Sequence, residues 1–122
     1  MTLITYGVLL DNVLNAAHIL SEQGIEVTVL RLLRVSPLPV SGILSNVSAG
    51  PVLVVEEVCS NSGIAEKLAY AMEQEHSGIY VSGLNLGGNF VTHGTLNDLY
   101  THCHLDPQGI VRKAREVLGF ED

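Results

Sequence analysis

Four short apolar runs constrain the fold of this chain more than any other feature of its sequence. They are rich in β-branched residues and lie at Leu3–Tyr6, Val27–Leu32, Val52–Glu56 and Ile79–Leu84. Each run is nearly continuous instead of alternating between apolar and polar residues. That pattern is typical of strands covered on both faces in a parallel sheet. The sequence therefore predicts a buried, mostly parallel sheet.

Helical patterns lie between and after these runs. In the first interval apolar residues recur at helical spacing, and Gly24 lies where a helix would stop. A second pattern follows the third run, with Asn61 or Ser62 as its cap. A last helix begins at Asp106, an N-cap followed by a first-turn proline, and ends at Gly119. The apolar residues of the three patterns are Leu9, Val13, Ala16, Ala17 and Leu20; Ile64, Leu68, Ala71 and Met72; and Ile110, Val111, Ala114, Val117 and Leu118.

The order of the elements predicts the architecture. Strands and helices alternate as β-α-β-α-β-α-β, followed by a loop and two helices, of which the first is short and lies near Leu96–Tyr100. This order predicts one three-layer α/β/α domain over residues 1–122, with helices on both faces of the sheet. The second crossover has room for a helix of only about two turns, near Ser41–Val47, because Pro37, Pro39 and Gly42 restrict it.

The charge of the chain argues against two classes of partner. Six Lys and Arg residues stand against 13 Asp and Glu residues, giving a formal net charge of −7. So few cations cannot form the basic stripe that nucleic acid requires, and an anionic membrane surface is unfavourable for the same reason. No apolar run approaches the ~20 residues of a membrane-spanning helix, and the first residues lack a signal peptide's basic region. We expect a cytoplasmic protein with Cys59 and Cys103 as free thiols.

Several motifs that carry chemistry are absent from the sequence. There is no G-x-G-x-x-G after the first strand, no G-x-x-x-x-G-K-[ST] loop and no G-x-S-x-G turn, which argues against dinucleotide, P-loop nucleotide and esterase sites. The triplet His102-Cys103-His104 suggests zinc, but helical residues two apart point to opposite sides. Pairing Asp98 with His102 supplies two ligands where zinc needs three or four. We interpret the triplet as a polar helix end and predict no metal site.

Two carboxylates close the third predicted strand. Glu56 and Glu57 lie where ligands bind in α/β sheets, so either could act as an acid or a base. The simpler interpretation, which we favour, is a solvated strand end or a contact with a partner subunit.

Other residues near the same edge of the sheet are candidates for binding an anion. Gly63 precedes a helix whose backbone N–H groups could face an anion, and Ser62 adds a hydroxyl donor, although helix capping alone explains both. His93, after the last strand and before a glycine, is the histidine best placed for a site. Arg31 and Arg34 flank the end of the second strand and are the only cations expected near the ligand edge. Their alternative role is a surface ion pair.

Several segments together carry a resemblance to a known family. They are Ile4-Thr5-Tyr6-Gly7, Val29-Leu30 with Pro37-Leu38, Val54-Val55-Glu56-Glu57 with Ser62-Gly63, Phe90-Val91-Thr92-His93-Gly94, and Leu105-Asp106-Pro107-Gln108-Gly109-Ile110. In order and spacing the chain resembles the transketolase C-terminal domain over essentially its whole length, and most closely that of 1-deoxy-D-xylulose-5-phosphate synthases. Leu33 stands where the family often has an arginine and Pro39 where it has an aspartate, which fits a divergent member.

The resemblance implies a five-stranded mixed sheet, with one antiparallel edge strand near Phe90–Thr92. It also implies a larger enzyme, in which thiamine diphosphate and magnesium lie between two other domains and this domain alone binds no cofactor. Its partners are then those cofactor-binding domains and the dimer mate, and neither Glu56 nor Glu57 inherits the role of the cofactor-activating glutamate. In the synthases this domain contributes contacts near the substrate phosphate. The candidates for such contacts here are His93, Ser62, Gly63, Arg34 and Arg31.

Three functional hypotheses follow. In the first, the chain is the C-terminal domain of a thiamine-dependent enzyme that transfers a two-carbon unit, a transketolase or a 1-deoxy-D-xylulose-5-phosphate synthase. It serves assembly, is inactive alone, and has a sugar phosphate as its candidate ligand. In the second, it is a non-enzymatic α/β interaction module that uses a sheet edge or the Glu56–Ser62 loop. In the third, it is the C-terminal domain of the β-chain of an oxo-acid dehydrogenase, which is close in fold, but the His93-Gly94 ending argues against it.

Overall fold

The sheet has four parallel strands in the computed structural model, which describes residues 1–58, 63–86 and 103–120. The strands are β1 (Thr2–Thr5), β2 (Thr28–Arg31), β3 (Val52–Val55) and β4 (Val81–Leu84). Each falls within or one residue beside a predicted apolar run, so all four predicted strands are confirmed. The spatial order is β2-β1-β3-β4, and every neighbouring pair is parallel. The predicted fifth, antiparallel strand near Phe90–Thr92 lies outside the described residues.

Four α-helices accompany the strands in the described ranges. They are α1 (Leu10–Glu22), α2 (Val40–Asn46), α3 (Ile64–Gln74) and α4 (Pro107–Leu118), and a 3-10 turn at Gly7–Leu9 leads into α1. Gly24, at φ +79°, follows the end of α1 as predicted, because a left-handed residue there turns the chain out of the helix. The predicted short helix near Leu96–Tyr100 falls in the part of the chain that the structure does not describe.

Helices cover both faces of the sheet and form two hydrophobic cores. Leu3 of β1 and Leu53 of β3 face α1 and α4, while Ile4 and Val54 face α2 and α3. Because alternate residues of a strand point to opposite faces, consecutive apolar residues supply both cores. Burying one such side chain contributes roughly 1.5–3 kcal/mol. The three-layer α/β/α prediction is confirmed.

Among the four described strands, the inner two are more deeply buried than the outer two. Every residue of β1 and β3 is buried, whereas β2 and β4 are mostly half-buried. The buried residues of β1 include two threonines, whose hydroxyls are satisfied internally. Thr5 Oγ1 donates to the Val55 carbonyl at 2.9 Å, and Thr2 Oγ1 lies 3.1 Å from Ser48 Oγ. Buried polar groups cost little when they are paired in this way.

Both ends of α4 are closed as its sequence predicts. The Asp106 side chain accepts a hydrogen bond from the Gly109 N–H at 3.0 Å, Pro107 occupies the first turn, and Gly119 ends the helix at φ +85°. None of the helices in the described ranges is long and apolar enough to cross a membrane.

Candidate functional site

The carboxyl ends of β1 and β3 meet at a buried carboxylate. Glu56, directly after β3, is 1% exposed. Its Oε1 accepts hydrogen bonds from the Tyr6 hydroxyl at 2.9 Å and the Ile64 N–H at 2.6 Å, and its Oε2 accepts one from the Ala65 N–H at 3.2 Å. Three donors from two other segments therefore compensate the burial of one carboxylate.

Glu56 caps helix α3 from a distance in sequence. The favoured interpretation of this residue as a solvated strand end is wrong, because the carboxylate is buried against the first turn of α3. The capping prediction also needs correction: Gly63 is the N-cap and makes no side-chain bond, and Glu56 satisfies the N–H groups instead. A negative charge at a helix N-terminus is favourable. Asn61 and Ser62 lie outside the described residues, and Glu57 is exposed.

Gly63 is required at its position by the space that Glu56 occupies. A Cβ at residue 63 would overlap both carboxylate oxygens of Glu56. The backbone there is extended, at φ −107°, so any residue could adopt the conformation and only the contact excludes a side chain. The N–H groups of Ile64 and Ala65, which could have faced an external anion, are already bound to Glu56.

Tyr6 forms the other wall of this carboxylate site. Burial, together with the hydrogen bond to Glu56 and the repulsion between phenolate and carboxylate, raises the pKa of Tyr6 to about 12. The phenol therefore stays protonated as a donor to Glu56 throughout the physiological pH range. This arrangement joins β1, β3 and α3, and it is suited to holding the sheet edge in place.

The two candidate arginines line an apolar groove at the end of β2, away from the Glu56 site. Arg31 and Arg34 border a groove of about 320 Å³ between β2 and α2. The remaining lining residues carry no acidic group: Leu30, Leu32, Leu33, Pro39, Gly42, Ile43 and Asn46. Neither arginine forms a salt bridge with the described residues, so the alternative of a surface ion pair has no support in that part of the chain. Leu33, beside them, is 86% exposed.

Strand order separates the candidate residues into groups. Arg31 ends β2, and Gly63 follows the end of β3, with β1 between the two strands. Two strand spacings amount to roughly 10 Å. Ser62 and His93 are outside the described residues, so the assignment of these five residues as candidates for contacts with the substrate phosphate remains a prediction.

A further cationic cluster near the carboxyl end of β4 was not predicted. His104, Arg112 and Lys113 line a hollow of about 190 Å³ beside Leu84. The expectation that Arg31 and Arg34 are the only cations near the ligand edge is therefore wrong. From the sequence, His104 was considered only as part of a possible metal triplet, and no role was assigned to Arg112 or Lys113. Only the packing of α4 against β4 brings them to this edge.

Metal ligation has no support in the described ranges. No group of three or more His, Cys, Asp or Glu side chains there could hold a metal ion. Cys103 is a free thiol in the turn before α4, while Cys59, Asp98 and His102 lie in segments that are not described.

Comparison with known proteins connects this fold to a family. Residues 1–110 match the family model described as "Transketolase, C-terminal domain". The chain belongs to the transketolase C-terminal domain family. Among similar proteins, the 1-deoxy-D-xylulose-5-phosphate synthase of Gloeobacter violaceus is 32% identical over 124 aligned positions, which cover 99% of this chain. That of Halothermothrix orenii is 31% identical over 107 residues, which cover 86% of the chain.

The match is confined to one part of those relatives. The chain spans 19% of the Gloeobacter violaceus protein and 17% of the Halothermothrix orenii protein. A solved structure titled "Split gene transketolase, inactive beta4 tetramer" shares the fold of this transketolase C-terminal domain, with a TM-score of 0.81 at 18% identity. The superposition covers 99% of this chain and 40% of that chain.

Proposed function

We propose that this domain completes a thiamine-diphosphate-dependent, transketolase-type transferase and carries none of the cofactor chemistry itself. The observation that carries the proposal is a family match over residues 1–110 in a chain spanning about a fifth of its synthase relatives. Because several of those relatives are 1-deoxy-D-xylulose-5-phosphate synthases, a parent enzyme of that type is favoured over the interaction module and the oxo-acid dehydrogenase.

The described residues of this domain do not fit the cofactor. Magnesium diphosphate needs oxygen ligands grouped around the metal, and the described ranges contain no cluster of acidic or other ligating side chains. The first-turn N–H groups of α3, which could bind a diphosphate, are occupied by Glu56. We therefore infer that thiamine diphosphate and magnesium bind to other domains of the parent enzyme.

The contribution of this domain is then assembly. We infer that it packs against the cofactor-binding domains and a dimer mate, and that the parent enzyme is cytoplasmic. Arg31 and Arg34, which form no salt bridge with the described residues, and the exposed Leu33 support a contact between the β2 groove and another protein surface. Arginine is enriched at protein interfaces beside apolar groups. The free thiol of Cys103 agrees with a reducing compartment.

The assembly proposal is tested by a chimera. The C-terminal domain of the Gloeobacter violaceus synthase is replaced by this chain, and turnover of pyruvate and glyceraldehyde 3-phosphate is compared with that of the synthase truncated before the domain. We expect activity in the chimera and none in the truncated enzyme. A folded, dimeric chimera no more active than the truncated enzyme would refute the proposal. Turnover by the isolated chain would refute the claim that it lacks cofactor chemistry.

A narrower proposal concerns the substrate phosphate. We infer contacts from His93, Ser62, Gly63, Arg31 and Arg34, supported for the arginines by the absence of acidic groups from their groove. In the chimera, Arg31→Gln with Arg34→Gln should raise KM for glyceraldehyde 3-phosphate while leaving that for pyruvate unchanged. An equal rise for both substrates would point to altered packing instead.

A further inference from the structure

A second cationic hollow lies apart from the arginine groove, near the carboxyl end of β4. It has a volume of about 190 Å³. Its walls are Leu84, His104, Gly109, Arg112, Lys113 and Glu116. In parallel α/β sheets, ligands bind beyond the carboxyl ends of the strands, which is where this hollow lies.

One wall of the hollow is a single face of α4. Gly109, Arg112, Lys113 and Glu116 are spaced at i, i+3, i+4 and i+7, so they lie on one face of the helix. A Cβ at residue 109 would overlap the backbone carbonyl of His104. The close approach of the His104 turn to the helix therefore demands glycine, and it places His104 beside the face of α4 that carries Arg112 and Lys113.

His104 lies in the turn that precedes α4, next to a residue that is packed into the core. The following residue, Leu105, is fully buried, and its carbonyl accepts a hydrogen bond from Asn12 Nδ2 at 3.1 Å. The Asp106 side chain accepts the Gly109 N–H at 3.0 Å, so that N–H is not available to a ligand. The described donors that face the hollow are therefore chiefly the side chains of Arg112, Lys113 and His104.

The hollow is positive on an otherwise acidic chain. Of the six Lys and Arg residues, Arg112 and Lys113 face this one hollow. Glu116 lies 3.4 Å from Lys113 Nζ and offsets one of the two charges. Among the described lining residues, Arg112, Lys113 and Glu116 therefore sum to +1, against −7 for the whole chain. Arg115, on the same helix, is directed elsewhere: it donates to Gln23 and stacks over Phe120.

We propose that this hollow binds a phosphate group, with Arg112 and Lys113 as its charged ligands and His104 as a further donor. Guanidinium and ammonium groups that converge on a concave site are suited to the oxygens of a tetrahedral dianion. The site depends neither on the proposed enzyme nor on the Arg31 and Arg34 candidates.

The test is a backbone-amide NMR titration of the full chain with inorganic phosphate at constant ionic strength and pH. We expect saturable shifts at His104, Gly109, Arg112 and Lys113. Arg112→Gln should weaken binding by about two- to fivefold, which is the contribution of an exposed charge pair, and the double variant R112Q/K113Q should lose saturation. Glu116→Gln should instead strengthen binding, because it removes the carboxylate that competes for Lys113.

Matched controls separate this site from general charge effects. Lys67→Gln, an exposed charge on α3, should leave the half-saturation point unchanged. Sulfate and glyceraldehyde 3-phosphate are titrated in parallel. Equal affinity for the two ligands would indicate a site for any tetrahedral oxyanion, and tighter binding of glyceraldehyde 3-phosphate would indicate a site for a phosphate ester. Shifts that grow linearly with concentration, shifts confined to Arg31 and Arg34, or an unchanged half-saturation point in R112Q/K113Q would each overturn the proposal.

Discussion

At the residue scale, the Glu56 carboxylate has a structural role that its neighbour Glu57 does not share. Both follow β3 in sequence, but Glu56 is buried with three hydrogen-bond donors, while Glu57 is exposed. The sequence placed both glutamates at the sheet edge. It could not show which of them caps α3 and which is exposed, because that depends on the path of the chain back to Ile64. The glycine at residue 63 was a usable signal, since a glycine directly before a helix indicates that something lies close to its backbone.

We predict that Gly63→Ala destabilises the domain by about 1–3 kcal/mol, because the new methyl group must displace the Glu56 carboxylate. Urea unfolding followed by circular dichroism measures the free energy of unfolding. The matched control is Gly42→Ala in α2, where a Cβ meets nothing within 4 Å and a helical alanine should stabilise by about 0.5–1 kcal/mol. Equal effects of the two substitutions would contradict the steric explanation.

Tyr6 makes the stability of the fold sensitive to alkaline pH. The pKa of Tyr6 is about 12 in the folded chain, against 10.0 for an unperturbed tyrosine. The contribution of the Tyr6 phenol to the stability of the folded state is thus fully present below pH 10. It is lost as pH rises from 10 to 12, where the unfolded state releases its proton first.

The difference between the phenolate absorbance titrations of the wild-type chain and Tyr6→Phe should therefore have its midpoint near 12. The variant should also lose less stability than the wild-type chain over that pH range. A difference titration centred near the pKa of free tyrosine would show that Tyr6 does not donate to Glu56.

At the element scale, the strands and helices of the described ranges followed from apolar periodicity and from capping residues. The prediction was accurate for α4, where Asp106, Pro107 and Gly119 provide local signals that act within one helix. It was less accurate for α3, whose cap comes from another strand. The hollow beside β4 could not be predicted, because its walls combine a strand end, a turn and a helix face. Such combinations depend on tertiary packing, which local periodicity does not encode.

We expect Asp106→Ala to destabilise the domain by about 1 kcal/mol, because the Gly109 N–H loses its acceptor at the start of α4. Asp106→Asn retains an acceptor oxygen and should stay close to the wild-type chain. The midpoint of urea unfolding distinguishes the two variants. If the alanine and asparagine variants were equally destabilised, the negative charge, rather than the cap, would be responsible.

At the scale of the whole molecule, one sheet separates two cores and couples them. Leu20 of α1 belongs to the first core and Met72 of α3 to the second, and both are nearly inaccessible to solvent. Because both cores use residues of β1 and β3, the loss of either core would expose one face of the same two strands, and we expect the cores to unfold together. The two-core arrangement could be predicted from the sequence, since apolar runs without alternation supply side chains to both faces.

We predict that Leu20→Ala and Met72→Ala each lower the free energy of unfolding by about 2–5 kcal/mol, within a single cooperative transition. Circular dichroism and tyrosine fluorescence, recorded in the same urea series, should give coincident curves for both variants. Separate transitions for the two probes would indicate that the cores unfold independently.

The contact between Glu56 and Gly63 also affects how this sequence can change over time. A bulkier residue 63 is tolerated only after the carboxylate has withdrawn, and withdrawal leaves the hydroxyl of Tyr6 and two amides of α3 without an acceptor. A single substitution at one of these positions therefore lowers the stability of the fold, whereas simultaneous substitutions can replace the whole contact with a different one. In descendants of this chain, residues 6, 56 and 63 should be retained together or replaced together.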